Sequence, residues 1–95
     1  MSTGLRVPRR ALGVRVRRVS GDLVIGVDAD ALELTDVAKL IYESADGRNR
    51  VADIVAIVVA RYDADPAEVS ADVSDFLDDL AGRGVVEWVV EEPLR

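Results

Sequence analysis

The stretch from Ala31 to Val86 constrains this chain more than any other, because it sets a short strand and three helical segments between fixed stops. Thr35 is placed to cap a first helix over Asp36–Ala45, where Val37, Leu40 and Ile41 recur at helical spacing, and Gly47 supplies the positive φ that closes it. Asn49 is placed to cap a second helix over about Val51–Tyr62. That helix is apolar on nearly every face, through Ile54, Val55, Ile57, Val58 and Val59, so it is either central in the domain or partly exposed to a partner. The third start is the best specified: Asp65 is an N-cap, Pro66 suits the first helical position, Glu68 follows three residues after the cap, and Gly82 and Gly84 mark the end. Within that helix Val69, Val73, Phe76 and Leu80 form an apolar stripe with Leu77 beside it. Glu68, Asp72, Asp75 and Asp79 align along its flank.

The residues before Ala31 read as strands. Val14–Val19 alternates, Ser20-Gly21-Asp22 makes a turn, and Leu23–Val27 resumes an apolar run, a hairpin pattern. Asp28-Ala29-Asp30 turns the chain again into Ala31-Leu32-Glu33-Leu34, with Leu32 and Leu34 on one face and Ala31 and Glu33 on the other. The expected architecture is therefore α+β, an N-terminal three-stranded antiparallel sheet followed by three helices. Val85–Val90, with Trp88 inside it, is a candidate further strand that would either stay apart or pair with Ala31–Leu34 and cover its edge.

Ninety-five residues provide one core, and the chain divides into a basic arm (1–12), a domain (13–90) and a short tail (91–95). Cysteine and histidine are both absent. That removes disulfides, thiol nucleophiles, imidazole acid–base chemistry and the usual zinc ligand sets. No glycine-rich phosphate loop is present, and Ser44, Ser70 and Ser74 lie in helical stretches instead of an exposed carrier-type turn, so the expectation is a non-enzyme without cofactor. Carboxylates spaced four apart on a straight helix do not assemble the oxygen shell calcium requires, so no metal site is expected. No run is long enough to span a bilayer and no secretory signal pattern is evident, which makes the cytoplasm the expected location.

Charge is divided along the chain. Residues 1–19 hold six arginines and no acid, whereas residues 20–95 hold six basic and eighteen acidic residues. The arm reads either as a contact to nucleic acid or an acidic partner, or as a terminus followed by an edge strand whose exposed face is arginine. The acidic flank of the third helix reads either as a solvated face or as a rim beside an apolar groove.

The order of "LELTDVAKLIYESADGRNRVADIVAIVVARYDADPAEVSADVSDFLDDLAGRGVV", including Leu34 and Ala38, Asp46-Gly47, Val51 and Ile54, Tyr62-Asp63, and Asp72-Val73, Phe76-Leu77, Leu80 and Gly84-Val85, resembles the PqqD-like family, also called RiPP recognition elements. The resemblance covers about residues 14–86. It departs from the family at Thr35 and Arg50, where members often carry Asn and Thr. It implies a winged helix-turn-helix-like domain that binds the leader of a ribosomally made precursor peptide and delivers it to a separate modifying enzyme or leader peptidase, acting as a monomer or weak homodimer. The leader would add as a strand along Ala31, Leu32, Glu33 and Leu34, with Val69, Asp72, Val73, Phe76 and Leu77 receiving its side chains and Glu68, Asp75 and Asp79 forming the rim. The rival is a winged-helix DNA-binding regulator using the arginine-rich arm. The acidic third helix, with Glu68, Asp72, Asp75, Asp78 and Asp79 against one terminal Arg83, opposes a duplex.

Overall fold

The computed structural model describes residues 5–27 and 30–89. Five strands and three helices run in the order β1 (Pro8–Arg10), β2 (Arg15–Val19), β3 (Asp22–Val27), β4 (Asp30–Leu34), α1 (Asp36–Ser44), α2 (Val51–Tyr62), α3 (Pro66–Gly82) and β5 (Val86–Trp88). The strands make two antiparallel sheets, one of order β2-β3-β4 and one pairing β1 with β5. The expected turn at Asp28 and Ala29, the first four residues of the arm, the final Val90 of the C-terminal strand and the 91–95 tail lie outside the described residues.

The hairpin of β2 and β3 closes through Ser20 and Gly21, both at positive φ (51° and 87°), as the twist of paired strands favours for a two-residue loop. Alternation then sorts the sheet into two faces. Leu23, Ile25 and Leu34 are buried toward the helices with Leu32 half-buried beside them, while Arg15, Arg17, Gly26, Ala31 and Glu33 face outward.

The core joins that inner sheet face to the helices and β5. Ile25, Leu34, Ile54, Leu77, Leu80 and Val85 are among its most enclosed members. Each such aliphatic side chain contributes about 1.5–3 kcal/mol through burial. Of the two readings of α2, the central one holds: Val51, Ile54 and Val58 are buried, and α2 touches both α1 and α3. Its exposed positions are the small Ala52, Ala56 and Ala60 together with Asp53, Arg61 and Tyr62.

The helix ends agree with expectation at α3 and depart from it at α1 and α2. Asp65 Oδ2 accepts the backbone N–H of Glu68 at 3.1 Å, and Pro66 takes the first helical position. Gly82 stays in the helix, and Gly84 (φ 77°) provides the stop. There the N–H of Val85 bonds the carbonyl of Leu80 and that of Gly84 the carbonyl of Ala81, the two bonds of a Schellman motif. Thr35 sits at the N-cap of α1 without a side-chain cap bond, and Asp36 enters the helix at φ 48°. Asn49 does not cap α2. Its Nδ2 donates to the Ser44 carbonyl at 3.0 Å, and Arg50 occupies the cap position, its N–H accepted by Asp53 Oδ2 at 2.9 Å.

Asp46 organises the turn between α1 and α2, its Oδ1 accepting the N–H groups of Arg48 and Asn49, both at 2.8 Å. The Asn49 and Arg48 N–H bonds hold its carboxyl below the usual carboxylate range. A depressed folded-state pKa gives stability that is present above the unfolded value near 3.9 and is lost as pH falls through the folded value. Asp46→Ala is therefore expected to lower stability by about 1 kcal/mol at neutral pH, with the gap to wild type closing below about pH 4. Urea melts at several pH values read this directly, and a gap unchanged by acid would remove the charge from the account.

Residues 6–11, which the sequence assigns to a basic arm, are built into the domain. Pro8 is fully buried, and β1 lies between β5 on one side and the α1–α2 turn on the other. The N–H groups of Gly47 and Val51 bond the carbonyls of Pro8 and Arg6, and Arg10 N–H bonds the Ala45 carbonyl. Among the described residues, no helix is long and apolar enough to cross a membrane.

Candidate functional site

β4 is an edge strand. β3 occupies one side of it, and Val86–Trp88, the segment that could have covered the other side, pairs with β1 instead. Among the described residues, β4 therefore pairs with β3 alone, which leaves alternate backbone N–H and C=O groups directed away from the sheet.

The residues expected to bind a peptide fall into two groups. Ala31, Glu33 and Asp72 are exposed, while Leu32 and Phe76 are half-buried at the edge of the core. Leu34, Val69, Val73 and Leu77 are core residues, with Leu34 and Val73 each 1% exposed and Leu77 wholly enclosed. Those four shape the wall behind a surface and offer none of their own. One apolar stripe on a helix holds both its inward positions and its shoulder, and spacing alone does not separate them. Phe76 is the shoulder.

The rim residues Glu68, Asp72, Asp75 and Asp79 are all exposed. Asp79 is held by Arg83, with Nε to Oδ2 at 3.0 Å, and neighbouring Asp78 faces Arg6 at 3.5 Å. Asp72 and Asp75 have no ion-pair partner among the described residues.

The N-terminal arginines are largely committed to the fold. Arg6 stacks on Trp88 at 3.6 Å from the ring centroid, Arg9 pairs with Glu87, Arg10 donates to the Glu43 carbonyl at 2.9 Å, and Arg18 faces Glu43 at 3.8 Å. Arg10 also lies 5.9 Å from the centroid of Tyr42, whose phenol is pushed above its ordinary pKa by burial while Arg10 acts in the opposite direction. Arg15 and Arg17 differ. They stand on the outer sheet face and, with Val24, Gly26 and Ala31, line a shallow cavity of about 340 Å³ that the sequence reading did not single out. The available signal was Gly26, a glycine inside an otherwise apolar strand.

Comparison with known proteins gives a consistent picture. Residues 23–86 match the family model described as Coenzyme PQQ synthesis protein D (PqqD). The chain is 38% identical over 87 residues to the bifunctional coenzyme PQQ synthesis protein C/D of Methylorubrum extorquens, covering 90% of this chain but only 23% of that longer protein. It is 30% identical over 89 residues to the PqqA binding protein of Rhizobium meliloti, covering 92% of this chain and 91% of that one. Among solved structures, the solution NMR structure of the PqqD truncation of Methylobacterium extorquens PqqCD, a stand-alone RiPP recognition element, superposes with a TM-score of 0.73 at 36% identity. That match covers 92% of this chain and 95% of the other. TbiB1 in complex with the TbiA(beta) leader peptide has the same fold, with a TM-score of 0.74 at 22% identity over 87% of this chain and 99% of TbiB1.

Proposed function

The chain belongs to the PqqD family, and from that premise we propose that it is a non-catalytic adaptor, a RiPP recognition element that binds the leader of a ribosomally made precursor peptide and delivers it to a separate modifying enzyme or leader peptidase. The observation that carries this reading is the unpaired side of β4. An unstructured leader adds there as an antiparallel strand, and its backbone supplies the hydrogen bonds that the edge lacks. The relative from Rhizobium meliloti is named for binding PqqA, and the PqqD truncation is described as a functional recognition element, which supports the same role here.

Backbone pairing gives affinity without selectivity, so side chains at the shoulder must select. Leu32 and Phe76 offer apolar surface, and Asp72 and Asp75 offer charge. The acids do not help the helix that carries them. Like charges three and four residues apart destabilise a helix, and only Asp79 has its charge offset by an arginine in the next turn. A rim that meets basic or polar leader groups gives them a purpose. On the adaptor reading, the three helices and the β2–β3 hairpin serve as a winged helix-turn-helix-like domain that works in the cytoplasm as a monomer or weak homodimer. Of the arginines a DNA-binding domain would use, Arg6, Arg9 and Arg18 are instead engaged with Asp78, Glu87 and Glu43, which leaves only Arg15 and Arg17 of the first nineteen residues facing outward from the sheet, and α3 is acidic.

Ordering a flexible leader offsets part of the contact energy, so a dissociation constant of micromolar to sub-micromolar order, roughly −8 to −10 kcal/mol, is expected. The test is a titration with the fluorescently labelled leader half of the precursor peptide encoded nearest this chain's gene, followed by anisotropy and by amide chemical shifts. Saturable binding that moves the β4 amides, and that fails when alternate leader nitrogens are methylated, is the expected result. No binding at protein concentrations near a millimolar would overturn the adaptor.

A further inference from the structure

We propose that the trough on the outer face of the β2-β3-β4 sheet recognises a glutamate side chain of the peptide strand that adds to β4. The proposal rests on the adaptor reading above and adds a selecting element on the opposite sheet face from Leu32.

The register defines the trough. Arg15, Gly26 and Ala31 lie in one row across the three strands, and Arg17, Val24 and Glu33 lie in the next, all facing outward. In the first row nothing larger than a methyl group stands between the Arg15 side chain and the open edge of β4. The cavity's lining joins the two rows through Arg15, Arg17, Val24, Gly26 and Ala31.

Gly26 carries the argument. Its backbone is not at positive φ, so no turn geometry demands glycine. A Cβ built there would meet only the Cβ of Arg15, at 3.6 Å, an ordinary contact. Glycine inside a strand weakens the sheet, through lost side-chain packing and a larger entropy loss on folding. With neither backbone nor crowding to require it, what Gly26 provides is open space along the row, the feature that marks close approach by a ligand.

Charge and length then identify the ligand group. Arg15 and Arg17 have no ion-pair partner among the described residues, in contrast to Arg6, Arg9 and Arg18. An added strand would stand three strand spacings from β2, about 14 Å. An extended arginine, an extended glutamate and the charge-assisted bond between them together span about that distance, whereas aspartate falls short by about one C–C bond. The methylenes of both side chains would lie over Gly26 and Ala31. Two residues along the leader, the outward position faces Glu33, which repels a second acid. The expected leader signature is an outward-facing glutamate opposite Ala31, with a neutral or basic residue two positions away.

The experiment uses the labelled leader described above, with each acidic residue replaced in turn by its amide, titrated into the wild-type chain, Arg15→Ala and Gly26→Val. One Glu→Gln change is expected to weaken binding to the wild type about 5-fold and to Arg15→Ala less than 2-fold, the coupling that marks a direct pair. Gly26→Val is expected to melt at or above the wild-type temperature while binding the unaltered leader as weakly as Arg15→Ala does. If the leader binds and moves the β4 amides, but every acidic replacement acts equally on wild type and Arg15→Ala, the trough proposal fails and the adaptor stands. If the leader does not bind at all, both fail.

Discussion

Replacing Val73 with aspartate is expected to unfold the domain, not to blunt a binding surface. Val73 is 1% exposed and belongs to the same cluster as Val69, Leu77 and Leu80. The substitution forfeits about 2 kcal/mol of burial, and the new carboxylate adds a desolvation cost of several kcal/mol with no charged partner to offset it. Apart from Tyr42 with its phenol, every buried side chain among the described residues is apolar and none is charged, so the core has no cation ready to receive the new charge. A domain of this size holds roughly 5–10 kcal/mol in total, and the variant should therefore show no cooperative melt. Leu77→Ala, a milder change at a wholly enclosed position, is expected to cost about 3–4 kcal/mol and to leave a lower but still cooperative transition. The contrast is with Phe76→Asp at the half-buried edge of the core and Asp72→Lys on the exposed face of α3. Both should stay folded, with leader affinity falling for the first and responding to leader charge for the second. Circular dichroism melts alongside leader titrations separate the two classes. A Val73→Asp chain that melts like the wild type yet fails to bind would mean that Val73 lines the groove after all.

That contrast also marks what was legible in the sequence. The α3 boundaries were, because Asp65, Pro66 and Gly84 each act locally, through a cap, a fixed φ and a left-handed stop. The β2–β3 hairpin and the face of each β4 residue followed from a period of two, which survives into three dimensions unchanged. Helix packing erases that simplicity. Val73 and Phe76 share one stripe in sequence, yet one is core and the other is shoulder, a difference set by where α2 and β5 pack against α3. The cap of α2 was misread for a related reason. Asn49 is a good local cap, but the Ser44 carbonyl at the end of α1 competes for its side chain, and Asp53 serves the Arg50 N–H from inside the helix.

β1 was illegible. Val7-Pro8-Arg9-Arg10 has no alternation, contains a proline, and carries two arginines, so it reads as an arm. Its partner β5 lies almost the whole chain away, and a pairing that distant leaves no local mark. The proline is tolerated because, among the described residues, β1 sits in a two-stranded sheet, where no central ladder position is required of its missing N–H.

Deleting residues 1–12 is accordingly expected to lower stability by about 2–4 kcal/mol, a fall of roughly 10–25 °C in melting temperature for a domain of this size. The deletion strips the N–H groups of Gly47, Val51 and Val89 of the Pro8, Arg6 and Val7 carbonyls that they bond at 2.8–3.0 Å. It removes the fully buried Pro8, uncovers Val86, and takes the Arg6 guanidinium off Trp88. Against these losses stands the conformational entropy the freed segment no longer has to surrender, about 1–2 kcal/mol per residue, which is why the net figure is far smaller than the sum of contacts. Charge is the minor part. Arg6 and Arg9 make exposed ion pairs with Asp78 and Glu87, each worth at most about 1 kcal/mol and screened by salt. The double variant Arg6→Ala, Arg9→Ala should therefore lose less than half as much as the deletion, with part of its loss coming from the Trp88 stack. A deletion that melts within a few degrees of the wild type would show that the α1–α2 turn and β5 hold without β1. A double alanine variant as unstable as the deletion would transfer the effect from backbone pairing to the arginines themselves.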